Sequence, residues 1–323
     1  MISSKHTKHF LPAKLFFNPS AGAARAHPIE IVDIIHELQA QRIVPETFLV
    51  EPGCDLEGAV KQALEKGFRL FIVCGGDGTI SAVARILAGT NATLGVIPIG
   101  TQNNVPLSFG IPDDIPAAIA LLRTGKRVKV DLGQATCEKT VLTFLEGVSI
   151  GLVADLFPTV DDIQHGDLSK IGEVFKTLSS SPPAEISLFI DQKKKIHDFG
   201  YVVLVTNMPF MGFHYQVCPA KSFRDGFLDV IHMADLTKLE LIKHIFFGIG
   251  MDRPEDSRIK HLRVRKLVID TNPAMSVMAD GIMLGTGQVT IEVLHHALTV
   301  IINPSVLIPP NSAEEKLSNN SNE

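Results

Sequence analysis

Leu70-Phe71-Ile72-Val73-Cys74-Gly75-Gly76-Asp77-Gly78-Thr79 carries an apolar segment into three glycines within four residues, and an apolar-periodic stretch, Ile80–Leu87, follows. A strand that feeds a glycine loop and then a helix predicts a phosphate site. Glycine admits positive φ and lets the backbone approach a ligand closely. The first turn of a helix aims unpaired N–H groups and the positive end of its dipole at an anion. Thr79 is read as the N-cap of this helix. Working outward, Ala13–Phe17, Val44–Val50, Arg69–Cys74, Thr93–Ile97 and Arg127–Asp131 read as strands. Between them, Ile31, Ile34, Ile35 and Leu38 share a helical face, Leu56–Leu64 forms a helix stopped by Gly67, and Ile115–Arg123 forms one ended by Gly125. Alternating strands and helices imply a parallel sheet covered on both faces, with ligands bound beyond the strand C-termini.

After Gly133 the grammar changes. Val141–Leu145, Ile186–Ile190, Tyr201–Thr206, Phe227–Met233, Leu262–Ile269, Val289–Val293 and Leu298–Ile302 read as strands, with helices only near Leu168–Leu178 and Lys238–Phe247. This predicts an antiparallel β-sandwich. The fold expected is therefore α/β plus β: an α/β domain over 12–132 and an antiparallel sandwich over 133–300. The polar stretch Asn311–Glu323 reads as a disordered tail.

The 323 residues suit two domains, and 45% hydrophobic with 20% charged residues is ordinary for a globular protein with a sizeable core. A net charge of −5 gives no basic surplus for nucleic acid. Cys54, Cys74, Cys137 and Cys218 are far apart, with no CxxC pair, which argues for a reducing, cytoplasmic setting. No run approaches 18 uninterrupted apolar residues, so no membrane span is expected. Neither a Walker loop nor a GxGxxG fingerprint occurs.

Asn18-Pro19-Ser20-Ala21-Gly22 follows the first strand and Pro98-Ile99-Gly100-Thr101-Gln102-Asn103-Asn104 the fourth. Singly each is a turn. In a parallel sheet all three glycine-bearing loops share one edge and converge on one ligand. Together, Asn18-Pro19-x-Ala21-Gly22, Gly75-Gly76-Asp77-Gly78-Thr79 and Pro98-x-Gly100-Thr101-x-Asn103 resemble the diacylglycerol kinase catalytic-domain family, the soluble bacterial lipid-kinase branch related to sphingosine kinases. The resemblance continues through Val130-Asp131-Leu132-Gly133, Pro219, Asp225-Gly226-Phe227-Leu228-Asp229 and Asp280-Gly281.

The resemblance implies ATP held by Asn18, Thr47, Gly75, Gly76, Asp77, Gly78, Thr79, Ile80, Ser81, Thr101 and Asn103. It implies Mg²⁺ as a cofactor, with a structural ion on the Asp225 carboxylate and the backbone carbonyls of Ser222 and Phe227; the alternative at Asp225-Gly226 is a plain β-turn. The last segment, about 301–309, would return to the first domain. Two positions depart from the family pattern: Asn104 stands where an aspartate is usual, and Ile282 where a glutamate would take the proton from the lipid hydroxyl. Isoleucine accepts no proton, and Asn104 offers Mg²⁺ no charge. Asp280 or Asp77 is left to serve as the base.

The expected activity is an ATP-dependent lipid kinase, a phosphotransferase to an alcohol group. The alternatives are a nucleotide-binding pseudokinase with a regulatory or lipid-sensing role and, third, an NAD kinase, which shares the GGDG loop. The partners implied are a lipid substrate and a membrane surface visited peripherally from the cytoplasm; a homodimer is compatible with this. Arg258, Lys260, Arg263, Arg265 and Lys266 read either as the solvent face of a strand or as a contact for anionic lipid. Lys193-Lys194-Lys195 reads as a hairpin tip.

Overall fold

The computed structural model describes residues 10–22, 30–164, 167–191, 194–211, 215–218, 222–241 and 258–307. The expected tail 311–323, Pro219, Lys193 and the stretch through Phe247 lie outside the described residues. The first half comprises β1 (Leu11–Phe17), α1 (Ile31–Ala40), β2 (Ile43–Leu49), α2 (Leu56–Glu65), β3 (Leu70–Gly75), α3 (Asp77–Leu87), β4 (Thr93–Pro98), α4 (Asn104–Ser108) and α5 (Ile115–Thr124). Strands β2, β1, β3 and β4 lie side by side in that order, all parallel. Every residue of β3 is buried because both faces are covered. Phe71 and Val73 face the core under α2 and α3, while Leu70, Ile72 and Cys74 face the core under α1 and α5. Asp55 and Asp114 cap α2 and α5 by accepting from Gly58 N (2.8 Å) and Ala117 N (3.0 Å).

The second half adds β5 (Lys126–Cys137), β6 (Thr140–Phe144), β7 (Gly147–Gly151), α6 (Leu152–Gln164), α7 (Ile171–Ser180), β8 (Ala184–Ile190), β9 (Lys194–Thr206), the short pair β10 (Phe210–Met211) and β11 (Tyr215–Gln216), β12 (Leu228–Ala234), β13 (Ile259–Val264), β14 (Lys266–Asn272), β15 (Ser276–Ala279), β16 (Ile282–Thr286) and β17 (Val289–Ile302). These strands pair antiparallel along β16-β15-β7-β9-β8-β14-β17, with β12 on β9, β13 on β12 and β6 on β5. Alternation along β9 and β12 splits their side chains between two cores. Val203, Val205, Leu228 and Val230 face the sandwich interior, whereas Val202, Leu204, Ile231 and Met233 pack under α6.

Three expectations on element bounds are corrected. Leu262–Ile269 is two strands that break at Arg265, because β13 pairs with β12 while β14 pairs with β8 and β17. Val289–Val293 and Leu298–Ile302 are one strand, β17, whose register shifts between Leu294 and Leu298 where His296 takes φ +55°. Helix α3 starts at Asp77 with Gly76 as its N-cap, so Thr79 lies inside the first turn. Strands β5 and β17 pair along their lengths and run through both halves; Thr299 and Val300 also lie parallel to Thr93 and Leu94 of β4. Asn303 N then bonds Phe109 O at 3.0 Å, which returns the chain to the first half. The sheet thus extends unbroken from the glycine loops to the sandwich.

Candidate active site

The three loops beyond β1, β3 and β4 are tied to one another. Asn18 N donates to Cys74 O (2.9 Å), and its Nδ2 donates to Thr79 Oγ1 (2.9 Å). Its Oδ1 accepts from Ser20 N at 3.0 Å, closing the Asx turn that Asn-Pro-Ser favours. Ile99 N reaches Gly75 O at 3.3 Å. Gly100 is needed for packing: a Cβ there would sit 2.6 Å from Gly76 Cα and 2.8 Å from Asn103 Oδ1. Asp77 joins the loop after β3 to the loop after β4, its carboxylate accepting from Asn104 N (3.0 Å) and Val105 N (3.1 Å) at the start of α4. Gly78 is exposed in the first turn of α3, with nothing within 4 Å of where its Cβ would be. Thr101, in the loop after β4, is exposed as well.

Not every expected nucleotide contact joins this cluster. Ile80 is fully buried in the core, so only its backbone belongs to the loop. Ser81 is 1% exposed on the inner face of α3. Thr47 lies within β2 opposite Leu15, two residues short of the strand end. Asn103 is buried at φ +55°.

The second half contributes the β15–β16 turn. Asp280 and Gly281 both have positive φ (43° and 75°), as a two-residue hairpin of the Asp-Gly kind requires. The Asp280 carboxylate is gripped by three backbone donors: Leu145 N (2.7 Å), Glu146 N (3.0 Å) and Gly147 N (3.1 Å). Burial nevertheless pushes its pKa up, against those hydrogen bonds and the attraction of Arg85. Ile282 opens β16 with 42% of its surface exposed. Sequence reading missed Glu146. Its carboxyl lies against Ser81 and within electrostatic reach of Asp77 and Asp280; burial first, then those two negative charges, push its pKa well up. The one available signal was a lone acid in the apolar stretch Leu142–Leu152.

Asp225 is set in a turn, its Oδ1 accepting from Phe227 N at 3.0 Å, and its other oxygen is paired with Arg263. The guanidinium groups of Arg263 and Arg265 also lie over the Phe227 ring, at 4.6 and 4.8 Å. The turn is held to the first half by Gly226 N, which donates to Asp131 Oδ2 at 2.7 Å; Asp131 also accepts from His295 Nδ1 (2.8 Å) and His296 N (2.7 Å). The ligand set expected for a structural Mg²⁺ therefore fits poorly, since its carboxylate already has a cation. Asp225→Ala is expected to cost about 1 kcal/mol, or about 2–4 °C in Tm, while EDTA leaves the wild-type Tm in place. A Tm lowered by EDTA and restored by Mg²⁺ would return the metal to Asp225. The other basic residues are likewise paired: Arg258 with Glu240, Lys260 with Asp198 and Lys266 with Glu292. This favours the reading of a strand's solvent face.

An α/β unit whose glycine loops lock together at one sheet edge, continuous with a β-sandwich that brings half-buried acids to α3, is the architecture of a two-domain phosphotransferase. Residues 12–135 match the model of the diacylglycerol kinase catalytic domain, and residues 147–302 match that of the YegS C-terminal NAD kinase beta sandwich-like domain. The chain belongs to the diacylglycerol kinase catalytic-domain family. It is 25% identical to a diacylglycerol kinase of Bacillus subtilis, over 83% of this chain and 89% of that one. It is 28% identical to a diacylglycerol kinase of Mycobacterium tuberculosis, over 70% and 74% respectively. A crystal structure of a diacylglycerol kinase from Bacillus anthracis shares the fold, with a TM-score of 0.68 at 22% identity, covering 93% of this chain and 99% of that one. Among the described residues no helix is long and apolar enough to cross a membrane.

Proposed function

We infer that this protein transfers the γ-phosphoryl group of ATP to the hydroxyl of a lipid. The observation that carries the reading is the mutual locking of the loops after β1, β3 and β4 beside the first turn of α3, where the Gly78 backbone lies open. Phosphoryl transfer relies mainly on positioning and electrostatic stabilisation, and hydrogen bonds between these loops set their relative positions. Asn18, Gly76, Gly78, Thr79, Gly100 and Thr101 would surround the phosphates, with Mg²⁺ arriving on the nucleotide. The lipid acceptor follows from the family and requires a transient visit to a bilayer from the cytoplasm.

A second reading, a nucleotide-binding pseudokinase, is favoured by one feature: Ile282 and Asn104 place no charge where the family has acids. The two are separated by offering the purified protein labelled ATP with Mg²⁺ and a panel of diacylglycerol, monoacylglycerol and sphingoid acceptors in mixed micelles, with NAD as a control acceptor. Phosphorylated lipid is expected. ATP binding without transfer to any lipid would favour the pseudokinase, and transfer to NAD alone would overturn the lipid reading.

A further inference from the structure

Glu146 is fixed from both sides of its own peptide. Its N–H is held by Asp280 Oδ1, and its carbonyl accepts from Asn207 N (2.8 Å), Thr206 Oγ1 (3.3 Å) and Met208 N (3.3 Å). Asn207, fully buried at the end of β9, further donates Nδ2 to Leu145 O and to Asp131 O, both at 2.9 Å. The backbone is thus immobile where the second half meets α3, and the side chain is directed at that helix. It meets there the buried Ser81 Oγ, a hydroxyl whose polar neighbour is the Glu146 carboxyl. A buried hydroxyl needs a polar partner, and Glu146 supplies it.

The groups facing Glu146 are Asp77 and Ser81 from α3 and Asp280 from the β15–β16 turn, with Arg85 of α3 facing Asp280 in turn. Asp77 is engaged in capping α4 and Asp280 in holding residues 145–147. Both expected substitutes for the missing base thus have structural work. The Glu146 side chain has no backbone to hold.

We propose that Glu146 is the proton acceptor for the lipid hydroxyl, supplying from the β6–β7 connection the carboxylate that Ile282 lacks. This inference rests on the lipid-kinase reading. In the step it serves, the acceptor O–H bond breaks and its proton passes to a Glu146 oxygen. The hydroxyl oxygen forms a bond to the γ-phosphorus, and the bond from that phosphorus to the β,γ-bridging oxygen breaks, its electron pair leaving with ADP. The position suits the role, because burial and the neighbouring negative charges make the Glu146 carboxylate a stronger base than an ordinary one.

The test compares wild type with Glu146→Gln on whichever lipid the wild type phosphorylates best. The amide keeps the shape and removes the base, so kcat is expected to fall by about 10²–10⁴-fold, with ATP affinity by calorimetry unaltered. Two further readouts separate catalysis from structure. The wild-type kcat/KM should rise with pH along an acid limb that Glu146→Gln lacks. A carboxyl whose folded pKa lies above its unfolded one stabilises the fold below the unfolded value, and that stabilisation is lost as pH rises through the folded value. Wild type should therefore lose more Tm over this window than Glu146→Gln, in which only Asp280 and the other raised carboxyls remain. Should Glu146→Gln fail to fold, Glu146→Asp, which withdraws the carboxylate by one methylene, is expected to lower kcat and keep the acid limb. An active wild type whose Gln variant keeps kcat within about tenfold overturns the role of Glu146 alone. A wild type that binds ATP but phosphorylates no lipid overturns the kinase reading and this inference with it.

Discussion

Gly76→Val is expected to abolish nucleotide binding while leaving the fold in place. Gly76 caps α3 with φ −92° and ψ 178°, an extended conformation that valine adopts readily. A Cβ there would lie 3.4 Å from Gly100 Cα, an ordinary contact. The backbone therefore tolerates the change. The two γ-methyls have no such allowance, because they project into the opening beside the first turn, where the phosphates must approach the backbone. Calorimetry should show the Kd for MgATP raised at least about 100-fold, equivalent to about 2.7 kcal/mol, with Tm changed by no more than a few degrees. Gly100→Ala supplies the contrast. Its Cβ would meet Gly76 Cα at 2.6 Å, so the loops must part and Tm must fall together with affinity. ATP affinity retained in folded Gly76→Val would place the nucleotide elsewhere and remove the foundation of both the kinase and the pseudokinase readings.

The parallel sheet was legible because Leu70–Gly75 is buried on both faces and so reads as an unbroken apolar run. The convergence of the loops was legible for a related reason: parallel strands put their C-terminal loops on one edge whatever the details of pairing. What escaped was set by distant partners. Arg265 breaks a run that looks like one strand, because the residues before and after it pair with different neighbours. The register shift in β17 depends on His295 and His296 meeting Asp131, 164 and 165 residues earlier. Asp225 belongs to a metal motif by pattern, yet its partner, Arg263, lies 38 residues on, in a stretch that reads as surface charge. Glu146 is the extreme case. One glutamate among apolar residues has no spacing to read, and it gains meaning only when the fold brings Asp280, 134 residues away, to its backbone.

The largest gain is expected from Ile282→Glu placed on Glu146→Gln. Ile282 is 42% exposed at the start of β16, beside the likewise exposed Met283, so a glutamate there enters solvent-facing surface and costs the core nothing. The turn that presents it is held by Asp280, whose grip on Leu145, Glu146 and Gly147 also fixes the peptide of Glu146. Positions 146 and 282 are thus tied to the same turn, and on the proposal made above a carboxylate on either serves the same acceptor. If so, the two sites are coupled and their effects do not add. Ile282→Glu should raise lipid phosphorylation by about 10²-fold or more where Glu146 has been replaced, approaching the worth of a positioned base, and by much less where Glu146 is present. Measured as kcat on one lipid at saturating MgATP, this is a double-mutant cycle with the wild type as its fourth corner. Equal gains in both backgrounds would mean that the two carboxylates do separate jobs, and Glu146 would then lose its claim to the proton. A gain confined to the Glu146→Gln background would show that residue 146 supplies the charge absent from position 282.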